Sequence, residues 1–114
     1  MAARSEFLDF VKDQLRGLGH VTARNMFGGT GLYLSGTIFA LIAYDTLYLK
    51  VDDTNRPDFE EAGMQPFRPF EDKPYVMSYY EVPLEVLEDS DQLVEWAQRS
   101  VEASRRSPSR KSIK

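Results

Sequence analysis

The sequence has 114 residues, 42% hydrophobic and 12% aromatic, which is one domain's worth of chain with ample apolar material for a single core. With no cysteine and one histidine, a disulfide scaffold, a thiolate metal site and a cysteine nucleophile are excluded, and a histidine metal site lacks a second imidazole. All 18 acids but only nine of the 14 bases lie within residues 1–104, a net of −9, whereas Arg105, Arg106, Arg110, Lys111 and Lys114 stand in the last ten residues without an acid. Such a body repels phosphate backbones, so a protein partner fits it better than nucleic acid.

The start of the chain, Met-Ala-Ala-Arg-Ser-Glu-Phe, has no apolar run after its basic residue and predicts a cytoplasmic protein without a secretory leader. Residues 5–18 read as an amphipathic helix: Ser5 caps it, Phe7, Phe10, Val11, Leu15 and Leu18 form its core face, and Gly17 or Gly19 ends it. From Asn25 to Tyr44 there are 20 residues without a charge, the length of a membrane span, but Gly28, Gly29, Gly31 and Gly36 interrupt the run. Short apolar stretches between turn residues instead predict an antiparallel meander of three or four strands from Ala23 to Asp53. Within it Ile38 to Ala43 is apolar on both faces and reads as a central strand, while Leu47, Leu49 and Val51 alternate with Tyr48 and Lys50.

Asn55-Arg56-Pro57-Asp58 reads as a helix start, closed at Gly63, with Phe59 and Ala62 on the buried side. Pro66, Pro69 and Pro74 limit any strand around Phe67 to Phe70 to a short edge, and Tyr75 to Val82 is a stronger strand with aromatic groups on both faces. Pro83 to Leu87 suits one helical turn. Asp89-Ser90-Asp91 then caps a last helix in which Leu93, Trp96, Ala97 and Val101 share a face. Residues 1–104 are expected to form one domain, and residues 105–114 a disordered basic tail with nothing to bury.

No motif points to catalysis. The glycines of Met26-Phe27-Gly28-Gly29-Thr30-Gly31 lead into a strand rather than opening a helix, so they suit a strand connection better than a phosphate cradle. His20 has only carboxylates as potential co-ligands, no serine sits in a G-x-S-x-G elbow, and the acid pairs Asp52-Asp53, Glu60-Glu61 and Asp89/Asp91 suit solvated faces and helix caps.

The blocks Arg24-x-Met26-Phe27-Gly28-Gly29-x-Gly31-Leu32-Tyr33-x-x-Gly36-x-x-Phe39-Ala40-x-Ile42 and Leu47-Tyr48-Leu49-Lys50, with Met77-Ser78-Tyr79-Tyr80-x-Val82-Pro83 and Trp96-Ala97, resemble the TfoX (Sxy) N-terminal domain family over roughly residues 5–103. The resemblance implies an α+β fold in which helices flank an antiparallel sheet, of the YgaC/TfoX-N type within the secretion-chaperone-like architecture. It also implies a non-enzymatic bacterial regulatory domain of natural competence and DNA uptake. Such a domain acts by protein contact with the transcription machinery, the cyclic-AMP receptor protein or RNA polymerase, and needs no cofactor, metal or catalytic residue. Met26, Phe27, Gly28, Gly29, Tyr79 and Tyr80 are the candidate partner contacts. Two other readings are a small-ligand-binding or enzymatic domain with a pocket beside Gly28 to Gly31, and a chaperone-like or oligomerising module, for which a homodimer is the simplest form.

Overall fold

Each apolar run between Val21 and Lys50 is short and ends on residues that tolerate a tight turn, and the chain accordingly folds back on itself three times. The structure, a computed structural model, describes residues 2–26, 29–43, 45–66 and 78–106. Helix α1 (Ala2–Gln14) and a 3-10 turn (Arg16–Leu18) lead into β1 (Val21–Met26), β2 (Gly29–Leu34), β3 (Thr37–Ala43) and β4 (Thr46–Lys50). Helix α2 (Arg56–Glu61), β5 (Tyr79–Glu81), α3 (Leu84–Leu87) and α4 (Ser90–Arg106) follow. The strands make one antiparallel sheet in the order β1-β2-β3-β4-β5, so the class is α+β and the expected meander has four strands, with β3 central. The β2–β3 turn places Ser35 at φ 52° and Gly36 at φ 81°, the paired left-handed residues of a type I′ hairpin.

One face of the sheet carries Val21, Leu32, Ala40, Ile42, Leu47 and Leu49, and Val11, Leu15, Leu93, Ala97 and Val101 of α1 and α4 pack on it. A β-bulge between Leu32 and Tyr33 moves the partner from Ala40 to Ile38, so Phe39 is the extra residue and joins Ala40 in the same buried cluster. Alternation holds in β4, where Leu47 and Leu49 are buried and Tyr48 and Lys50 are half-buried.

Two expected core positions are corrected. Phe10 is 41% exposed, because at 100° per residue it lies about 100° from Val11 and about 140° from Leu15, off the stripe in which Leu8 packs. Ala62 is exposed because α2 ends at Glu61 and the next residues form a Schellman cap, with the Met64 amide donating to the Phe59 carbonyl and the Gly63 amide to that of Glu60. Gly63 takes φ 78° there, and Met64 turns back onto the core. The strand expected around Phe67 to Phe70 and the Tyr75 to Met77 part of the next one lie outside the described residues, as do residues 107–114 of the basic tail.

Candidate interaction surface

The family-type residues fall at two places on the sheet. Met26 ends β1 opposite Gly29, which begins β2, while Phe27 and Gly28 between them lie outside the described residues. Gly29 has a backbone reason to be glycine: a Cβ there would stand 2.5 Å from the Ile42 carbonyl oxygen of β3, closer than any side chain tolerates. Tyr79 and Tyr80 sit in β5 with opposite orientations. Tyr80, paired with Leu49, faces the core and its ring lies 5.8 Å from that of Phe59, which meets Trp96 edge-on at 4.8 Å. Tyr79, paired with Lys50, is on the other face, where the Lys50 ammonium lies 5.3 Å from its ring centre. It is only 7% exposed, and Leu41 on the same face 8%, so neither presents a bare anchor.

Accessibility on that outer face rises towards β1. Thr22 and Arg24 are exposed, and the Arg24 guanidinium lies 5.7 Å above the Tyr33 ring of the neighbouring strand. Asn25, on the core side by alternation with Val21 and Ala23, is exposed as well at the strand's end. Among the described residues β1 pairs only with β2, which makes it an edge strand of six residues with neither proline nor glycine. The opposite edge differs: β5 has three residues, and beyond it Pro66 bridges to Tyr80 while the Glu81 amide donates to the Gln65 carbonyl.

The loop after β4 is tied to the end of α4. Asp52 accepts hydrogen bonds from the Thr54 amide (2.9 Å) and hydroxyl (2.6 Å), and its other oxygen accepts from Arg106 Nε at 3.0 Å. Arg106 Nη2 also donates to the Thr54 hydroxyl at 2.8 Å. Partial burial pushes the Asp52 carboxyl up, but these donors outweigh it and hold the group below its ordinary value. Asn55, 2% exposed, ties the loop internally by accepting from the Asp52 amide and donating to the Lys50 carbonyl. Arg105 and Arg106 thus belong to α4, two residues past the boundary expected at 104. At the helix's other end Asp89 accepts from the Gln92 side chain and amide and from the Asp91 amide, the expected cap, and its carboxyl is lowered.

A depression of about 430 Å³, widely open to solvent, lies between the end of α1 and the start of β1, lined by Asp9, Lys12, Asp13, Arg16, Gly19, His20 and Val21. It does not adjoin the glycine-rich connection, where a ligand pocket was expected under the small-ligand reading. Among the described residues no three His, Asp or Glu side chains are grouped to hold a metal ion, and no helix is long and apolar enough to cross a membrane.

The TfoX N-terminal domain model matches residues 13–104, most of the chain. The chain belongs to the TfoX N-terminal domain family. A comparison with curated proteins returned no match. In this TfoX N-terminal domain the matched region runs from the end of α1 through all five strands to α4, so most of α1, with its exposed Phe10, precedes it. The family residues Met26, Gly29, Tyr79 and Tyr80 lie in this sheet as strand ends and ring packing. Two features escaped sequence reading, the β1 edge and the Asp52–Arg106 clasp. The first had a faint signal, since Asp13 and Asp45 bracket a stretch without acids. The second joins residues 54 positions apart, and nothing local marks it.

Proposed function

We propose that this domain is a non-enzymatic regulatory module of the bacterial cytoplasm that acts by protein contact with the transcription machinery, in the manner implied for TfoX domains in competence and DNA uptake. The observation that carries this reading is the family match over residues 13–104. The charge distribution supports it: a body of net −9 over residues 1–104 is suited to a protein surface rather than to duplex DNA.

The test is direct titration of the full chain with purified cyclic-AMP receptor protein, with purified RNA polymerase, and with duplex DNA alone at physiological salt. Saturable binding to either protein, and none to DNA, is the expected result. A folded chain that binds neither protein, or that binds DNA tightly without them, overturns the reading.

A further inference from the structure

We propose that the apolar patch where α1 meets α3 is a docking site for an amphipathic helix of a partner protein, one whose apolar stripe is bordered by lysine or arginine. The inference rests on the reading of this domain as a protein-contact module, but not on which protein it contacts. Phe10 and Leu84, 41% and 65% exposed, are the exposed large hydrophobic side chains among the described residues, and the fold brings them to one place. Gln14 Nε2 donates to the Leu87 carbonyl at 2.9 Å, joining the end of α1 to the end of α3. Phe10 stands one turn before Gln14 on the same side of α1, and Leu84 begins the single turn that Leu87 ends. Phe7, whose ring centre is 6.4 Å from that of Phe10, and Leu87 are both half-buried and carry the apolar surface down to the core. Isolated apolar residues are ordinary on a surface, but two beside one interhelical bond, each backed by a partly covered neighbour, form a patch.

Charge selects the occupant. Glu6 lies one turn before Phe10 and Glu88 one turn after Leu84; with Glu85 they are exposed and enter no ion pair among the described residues. Asp13 is paired with Arg16 and adds little. Lys12 is about 200° around α1 from Phe10 and lines the depression beside His20 instead. On the α3 side nothing offsets the acids, because from Pro74 to Gln98 the chain has no base. A helix with apolar residues three and four apart can seat on such a patch, and lysine or arginine on its flanks then meets these carboxylates. A second copy of the chain would set the same acids against one another. The tail after Arg106 is basic, but it has Ile113 as its sole large apolar residue and starts from the far end of α4, roughly 25 Å from α3. Phe10 precedes the residues matched by the family model, so the family match does not assign this patch.

The test is selection, against the full-length protein, from a displayed library of helical peptides with leucines fixed at three- and four-residue spacing and every flanking position random. Selected peptides are then titrated into isotopically labelled protein. Lysine or arginine is expected at the flanks, with amide shifts centred on α1 and α3 and an affinity that weakens as salt rises. Leu84 is exposed, so Leu84→Ser should fold normally and weaken the selected helices by about 5-fold or more. Glu85→Lys combined with Glu88→Lys should also weaken them, and should favour helices flanked by acids. Binders without basic flanks, shifts centred elsewhere, indifference to either folded variant, or a dimer in which α1 and α3 already cover one another without peptide would each overturn the proposal. Helix binding with charge reversal would stand even if neither transcription protein bound. Binding of either protein without any change at α1 and α3 would remove this site and leave the functional reading in place.

Discussion

The two edges of the sheet are finished by different means. At the β5 edge side chains hold the structure: Tyr80 packs on Phe59, Phe59 meets Trp96, Arg99 pairs with Asp58 at 2.8 Å, and the Asp52–Arg106 clasp ties the loop after β4 to α4. At the β1 edge Val21 is buried and Ala23 packs against the core, but the ladder to β2 is longer and Thr22, Arg24 and Asn25 stand in solvent. A short strand cannot supply enough ladder to hold itself and depends on burial, whereas a six-residue strand in a tight hairpin can leave its outer side unpaired. The family's glycines and tyrosines divide along the same line, with Gly29 serving backbone approach near one edge and Tyr80 serving packing near the other.

The largest effect expected from this contrast is at Phe59, which is 1% exposed and central to the β5 side. Phe59→Ala should cost about 3–5 kcal/mol, a large part of a small domain's stability, read from urea denaturation midpoints. Hydrogen exchange should show β5 opening first. Equal loosening of β1 would mean that the two edges share one support. Gly29→Ala comes next, because its Cβ meets a carbonyl oxygen rather than a pliable side chain. A loss of about 1–3 kcal/mol is expected, centred on β2 and β3. A gain in stability would show that the approach of β3 to Gly29 is looser than 2.5 Å requires.

The fold was legible in the sequence wherever a residue's fate depends on near neighbours. Period-two alternation gave β4, the glycines and Ser35-Gly36 marked the hairpins, and Asp89 announced α4. Less legible was the margin of each element. Phe10 is large and apolar yet sits off the stripe, and Ala62 lost its place to a cap that carried Met64 inward. The candidate contacts fared unevenly for the same reason. Tyr79 and Tyr80 were recognisable as one strand, but which of the two faces the core depends on register with Leu49 and Lys50, a pairing about thirty residues away that no local pattern encodes.

A smaller effect is expected at the clasp. Arg106→Ala removes the bonds to Asp52 and Thr54 and should cost about 1 kcal/mol, since both groups are partly solvated. The pH dependence follows from the lowered Asp52 carboxyl. The folded state holds its proton less tightly than the unfolded chain, so the contribution is present above the ordinary value of 3.8 and is lost as pH falls through the lower folded value. The melting temperature should therefore drop on acidification below that region, less steeply in Arg106→Ala. Some slope will persist because Asp89 is also lowered by its Gln92 and Asp91 donors. An unchanged slope in the variant would separate the clasp from acid sensitivity.

The smallest effect concerns the turn between β2 and β3. Ser35 holds φ 52°, a left-handed conformation that costs most L-residues about 1–2 kcal/mol and that asparagine accepts more readily. Ser35→Asn should recover about 0.5 kcal/mol, visible as a rise of a few degrees at most in melting temperature. Ser35 is exposed, so the gain would come from the backbone and would tighten the β2–β3 pairing without touching β1. Protection of the β1 amides from hydrogen exchange should then be unchanged. If that protection changed as the turn stiffened, β1 would depend on movement of the hairpin beside it, and the contrast between the two edges would have to include flexibility as well as burial.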